Sequence, residues 1–195
     1  MKRAITRDDI MPMADYGRAR AERRRAIAAK KQNRRVSVGP FATFLFETYD
    51  TMLHQVHEML FVEKGGEAQI AGELEAYNPL IPKGRELVAT VLIEIDEPAR
   101  RARELTRLGG IENAMSLQFA GETVKGVPTD DQERTDPETG KTSSVHFIRF
   151  PFTPAQIAKF RSANAKAVLA IDHPNYGHMA QLPEAVRAEL AGDFE

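Results

Sequence analysis

The chain has 195 residues, 42% of them hydrophobic and 28% charged, with a net charge of −1 and no cysteine. That length suits one domain with at most a flexible arm, and the apolar share is enough for a core. The missing cysteines exclude disulfides, thiolate nucleophiles, Cys-ligated zinc and protein-ligated iron–sulfur clusters.

No apolar run is long enough to span a membrane, and "MKRAITRDDIMPMADYG" lacks the apolar stretch of a secretory signal. A cytoplasmic protein of bacterial type, without a membrane partner, is the expectation. The near-zero net charge hides a split. Residues 1–35 hold twelve of the 27 Lys and Arg and four of the 28 Asp and Glu, so they carry +8 and the rest of the chain −9. A basic arm over residues 1–34 is therefore expected on an acidic body over residues 35–195.

In chain order, "TRDD" places Thr6 as a helix cap with acids in the first turn. Residues 16–33 are mostly Ala, Arg, Lys and Glu, strong helix formers, with a thin apolar stripe of Tyr16, Ala19, Ala26 and Ile27. Residues 35–47 read as a strand interrupted at Gly39-Pro40, where a bulge or an edge position is expected. Helices follow over 49–64 and 67–77, separated by Gly65-Gly66. "ELVATVLIEI" is the cleanest strand, with Leu87, Ala89, Val91, Ile93 and Ile95 on one face. "DEPARRARELTRLGG" is a helix capped by Asp96 and stopped by glycines.

"AMSLQFAGE" and "SSVHFIRFPF" read as two strands of one hairpin, joined by the long solvated loop "VKGVPTDDQERTDPETGKT". Thr153 caps a helix with Pro154 at its first position. "AKAVLAIDHP" is the last strand and "LPEAVRAELAGDF" the closing helix. The fold class is α+β: a mainly antiparallel sheet of about five strands with helices packed on one face, plus a basic N-terminal helix.

Three stretches carry candidate chemistry. On the helix "YDTMLHQVHEMLFVEK", His54 and Glu58 lie together opposite an apolar sector, with His57 and Gln55 at that sector's edges. An i,i+4 His/Glu pair can share a metal, but zinc or iron needs three or four ligands, and "HQVHE" is not the H-E-x-x-H order. The weightier reading is a solvated ion pair. Glu63 projects into the apolar sector at the helix's C-terminal end, where it opposes the macrodipole. Either an arginine of the arm pairs with it or the helix frays before it. In "IDHPNYGH", Asp172 and His173 end a buried strand and point to opposite faces, so they form no dyad with each other. His173 donating to a carbonyl in a structural turn is the simpler reading. In the cluster "RARAERRRAIAAKKQNRR", Arg18, Arg20, Arg23, Arg24 and Arg25 suit docking onto acidic surface of the same or a partner chain. Nucleic acid is disfavoured, because no aromatic platform or recognition motif accompanies the arginines. Glycine-rich phosphate loops and G-x-S-x-G are absent.

The segments "RRVSVGP", "QVHEML", "EAYNPLIP", "VATVLIEI", "FIRFPFTPAQIAKFR" and "AIDHPNY", in this order, resemble the uncharacterised bacterial family catalogued as domain of unknown function 3501. The resemblance covers nearly the whole chain and brings no established activity or cofactor. It implies significance for Gln55, Glu58, Glu63, Tyr77, Asn78, Pro79, Asp172, His173 and Pro174. The chain departs from the family's pattern at His54 and His57, which weakens a metal reading. The family's genomic setting, beside genes for rubrerythrin and iron–sulfur oxidoreductases, implies a redox context and a redox protein partner.

The resulting candidate pocket is Gln55, Glu58, Glu63, Tyr77, Asn78, Asp172 and His173. The preferred function is a non-enzymatic interaction or scaffold protein, a homodimer gripping acidic surface with its basic helix. The alternatives are a metal-binding or redox-accessory protein using Glu58, Glu63 and His173, and, more weakly, nucleic-acid binding through the arm.

Overall fold

The computed structural model describes residues 2–129, 134–162 and 166–195. Helix α1 (Met13–Lys31) leads through a 3₁₀ turn into β1 (Arg35–Val38) and β2 (Ala42–Phe46). Helices α2 (Tyr49–Glu63) and α3 (Glu67–Tyr77) precede β3 (Glu86–Ile93) and α4 (Pro98–Arg107). Then come β4 (Met115–Phe119), β5 (Glu122–Lys125), β6 (Val127–Pro128), β7 (Val145–Pro151), α5 (Pro154–Arg161), β8 (Ala167–His173), β9 (Tyr176–Gln181) and α6 (Glu184–Ala191).

The helix ends follow local chemistry. Thr48 accepts from the Thr51 amide at the start of α2, and Lys64 in a left-handed conformation ends it. Thr153 accepts from the Gln156 amide, with Pro154 opening α5. Glu97, rather than the expected Asp96, caps α4, accepting from Ala99 and Arg100.

The strands form two antiparallel sheets, ordered β1-β2-β3-β7-β6 and β5-β4-β8-β9. Alternation decides their faces. Phe44, Phe46, Leu87, Ala89, Val91, Ile148 and Phe150 face Met115, Leu117, Phe119, Leu169 and Ile171 across one apolar core. Phe119, Phe152, Phe160 and Phe194 close one end of it, with ring centroids 4.7 to 5.9 Å apart. The two sheets exchange chain at Gly126, between β5 and β6. A Cβ there would lie 2.6 Å from Ile148 Cγ2 and 3.2 Å from the Met115 carbonyl, so only glycine lets the strand cross so closely. A second, smaller core covers the opposite face of β3: Val88 packs with Met52, Val56 and Leu60 of α2, Ile70 of α3, and Ile5 and Ile10 of the N-terminal segment.

The α+β class and the five-stranded sheet are present, but several expected details are not. The unbroken apolar face of β3 is covered by the second sheet, not by helices. β4 and β7 do not form a hairpin: β4 pairs β5 and β8, while β7 pairs β3 and β6. Residues 130–133 of the loop expected between them lie outside the described residues. The Gly39-Pro40 interruption is a hairpin turn joining β1 and β2, with Val38 opposite Ala42, and not a bulge in one strand. β8 is followed by a further strand, β9. Thr6 begins only a three-residue 3₁₀ turn, because Pro12 delays the first long helix to Met13.

Candidate functional site

α1 is nineteen residues long, yet Tyr16 is its one buried residue. So thin an apolar stripe buries too little to hold a helix by itself. What fixes α1 is two groups of polar contacts, Tyr16 with Arg20 near its start and Lys30 with Arg34 at and just beyond its end, each pair four residues apart as on one helix face. Arg20 donates to both Glu58 oxygens of α2 from Nε and a terminal nitrogen, at 2.9 and 2.8 Å. Lys30 pairs with Asp50 in the first turn of α2. Just beyond α1, buried Arg34 forks onto buried Asp193 at 2.9 and 2.5 Å.

The centre of the seam is Glu58. Tyr16 donates its hydroxyl hydrogen to Glu58 at 2.6 Å and lies 3.4 Å from His54 Nδ1. Arg20, against some burial and helped by the tyrosine hydroxyl, holds the Glu58 carboxyl down at about 2. Burial and the neighbouring carboxylate push the Tyr16 phenol well above its ordinary value. Burial lowers both His54 and His57. His57 stacks on Tyr16 with ring centroids 4.9 Å apart. Its Nε2 accepts from the Met11 amide at 3.1 Å, so Nδ1 carries the proton donated to the Leu53 carbonyl at 2.8 Å. A carboxylate so firmly ionised, a phenol so reluctant to ionise and a histidine with both nitrogens engaged make a clamp. None of the three is poised for proton transfer near neutral pH.

Glu58 therefore does not face water with His54, as the helical wheel suggested. α1 covers that side, and Glu58's partners are Tyr16 and Arg20. Gln55 of α2 lies beside Tyr77 of α3; burial raises the Tyr77 phenol and Gln55 lowers it. Asn78 clamps the N-terminal segment reciprocally, accepting from the Ile5 amide at 2.7 Å and donating to its carbonyl at 3.0 Å. Among the described residues no arginine pairs with Glu63, which is exposed and accepts from Gln69 at 2.7 Å. Asp172 is exposed on β8. His173 Nδ1 accepts from the Asn175 amide at 3.2 Å, leaving Nε2 to donate to the Gly109 carbonyl at 3.1 Å. The seven candidate pocket residues thus divide between the helix layer and the four-stranded sheet and do not converge on one site. Among the described residues no three His, Cys, Asp or Glu gather to hold a metal.

Of the five candidate interface arginines, Arg20 is spent on Glu58 and Arg18 pairs with Asp15 of its own helix. Arg23, Arg24 and Arg25 are exposed and, among the described residues, have no carboxylate partner. Sequence reasoning missed the role of Tyr16 as a donor, although its place in the apolar stripe marked it as inward. It also missed the Arg34–Asp193 pair, for which neither residue carries a local signal. No helix among the described residues is long and apolar enough to cross a membrane.

The chain's residues 4–194 match the family model described as "Protein of unknown function (DUF3501)". Among solved structures it is similar to a novel protein of unknown function from Burkholderia pseudomallei K96243. The two are 38% identical, with a TM-score of 0.90 over 98% of this chain and 100% of that one. No curated protein matches.

Proposed function

We propose a function from one premise: the chain belongs to the family of proteins of unknown function DUF3501, which supplies a fold without a chemistry. It is a non-enzymatic interaction protein that forms a homodimer, with the basic arm of residues 1–34 set against acidic surface of a second copy. The observation that carries this reading is that Arg24 and Arg25 are exposed and, among the described residues, have no carboxylate partner, on a helix that other cations already fasten. At about 100° per residue, Arg25 shares the outward face of α1 with Arg18, two turns away, and Arg24 flanks them. Residues 36–195 carry a net −9, so the surface best suited to meet this face belongs to another copy of the chain.

A metal-binding or redox-accessory role, with a redox protein as partner, is less well supported. It needs Glu58, Glu63 and His173 to converge, and each bonds elsewhere. The test is mass by light scattering after gel filtration, at low and high salt. The wild type is expected at twice the chain mass in low salt and at the chain mass in high salt. Reversal of Arg18, Arg24 and Arg25 to Glu is expected to give monomer throughout. A wild-type monomer at low salt, or a reversed variant that still dimerises, would contradict the reading.

A further inference from the structure

Four stretches far apart in sequence enclose a cavity of about 600 Å³. They are the N-terminal segment at Lys2, the end of α1 with the turn after it at Lys30 and Arg34, the start of α2 at Thr48–Asp50, and the last turn of α6 at Glu189 with Asp193 beyond. A volume of this order falls in the range of small-molecule sites, about 300 to 1,000 Å³. The lining is unusual in its charge: three cations, Lys2, Lys30 and Arg34, and three carboxylates, Asp50, Glu189 and Asp193.

We propose that this cavity binds a small zwitterion, a molecule carrying one carboxylate and one ammonium group. A net anion or net cation of that size would meet as many like charges as opposite ones, whereas a zwitterion can satisfy both. The Arg34–Asp193 pair is buried, doubly hydrogen-bonded and mutually neutralised, so it serves as the floor. The groups left to a ligand are on the walls. On one side are Lys2, Lys30 and the start of α2, where Thr48 takes the Thr51 amide and the end of the helix dipole is positive. Lys2 touches Asp9, whose side chain is largely covered, and Lys30 touches half-exposed Asp50; both lysine side chains are themselves more than half exposed, so water screens each pair from the lysine side. The lysines are free to turn to a bound carboxylate. On the other side is Glu189, about half exposed, with one ion-pair contact among the described residues, 3.4 Å from Arg34 Nε. It stands at the C-terminal, negative end of α6. The ligand's ammonium belongs there and its carboxylate opposite.

Titration calorimetry on the full chain tests this with probes of matched length. These are the zwitterions 4-aminobutanoate and 6-aminohexanoate, the dicarboxylates succinate and adipate, and the corresponding diamines. Saturable binding is expected for at least one zwitterion, at least about tenfold tighter than for its diacid or diamine. The variant Glu189→Gln, with an unchanged melting temperature, is expected to weaken it about tenfold, as losing one charge-assisted hydrogen bond does. Lys2→Gln combined with Lys30→Gln should act alike. No saturable binding of either zwitterion, equal binding of diacid or diamine, or indifference to Glu189→Gln would overturn the proposal. The site does not depend on dimerisation, so the Arg18, Arg24 and Arg25 reversal should bind the zwitterion as the wild type does.

Discussion

The core between the two sheets and the seam between α1 and α2 hold their parts together by opposite means. In the core, Phe44, Leu87, Val91, Leu117, Ile148, Phe150 and Leu169 are all fully buried among apolar neighbours. Burial of that kind is non-directional and offers no charge for salt to screen. In the seam, Tyr16, the one buried residue of α1, meets the Glu58 carboxylate, His54 and His57, and Arg20 shares that carboxylate; these contacts depend on distance, angle and charge state. A helix with little to bury can still be fixed in place, but its attachment then inherits the pH and salt dependence of ion pairs.

The largest effect expected from breaking this contrast is in the core. Phe150→Ala should lower unfolding stability by about 4 kcal/mol, the cost of removing a buried aromatic ring, with the same loss in low and high salt by denaturant titration. Next comes the buried ion pair at the end of α1. Asp193→Asn leaves the Arg34 charge buried with half its compensation and should cost about 3 kcal/mol. Circular dichroism melts at neutral pH would read it.

Glu58→Gln should cost about 2 kcal/mol at neutral pH, since it weakens charge-assisted bonds from Arg20 and the bond from Tyr16. Its pH dependence has a definite sign. Glu58 is held below its ordinary value, so its contribution is complete above that value and is lost as pH falls towards about 2. His54 and His57, held low by burial, act in the same direction at higher pH: acidification from neutral through their ordinary value protonates the unfolded chain first. Stability measured from pH 7 down to pH 2 should therefore fall in two stages in the wild type. Glu58→Gln should show a smaller lower stage, with the remainder coming from Asp9 and other carboxylates also held low, and a single stage in the wild type would count against this assignment. The smallest effect belongs to the exposed pair of Lys30 with Asp50. Lys30→Ala should change stability by less than about 0.5 kcal/mol, and a larger loss would mean that the rim of the seam matters more than its centre.

Much of the fold was legible because period-two alternation reports burial directly. Leu87, Ala89, Val91, Ile93 and Ile95 were readable as one inward face, and the same holds for Met115, Leu117 and Phe119. Strand pairing was not legible, because alternation says which face is buried and nothing about what covers it. β7 and β4 were equally plausible neighbours by pattern, and Gly126 became informative only once Ile148 was seen pressed against it. β9, "YGHMAQ", has a glycine, a half-exposed histidine and an exposed methionine on an edge, so its pattern was too weak to read as a strand.

The seam was half legible. The placement of His54 and Glu58 on one side of α2 came from helical geometry, and the poverty of α1 in apolar residues came from composition. That the two faces meet is a tertiary fact, as is the pairing of Arg34 with an aspartate 159 positions away. The pocket inferred from the family's pattern gathered residues in separate local settings: Asn78 fastens the N-terminal segment, Gln55 lies beside Tyr77, and His173 closes a hairpin.

Amide hydrogen exchange at two salt concentrations is the most direct measurement of whether charge holds α1 to the body. Amides of residues 13–31 should exchange markedly faster in high salt than in low salt, while those of β2, β3 and β7 keep their protection. Protection of α1 that is unchanged by salt, or that falls only together with the sheets, would contradict an attachment made by carboxylates.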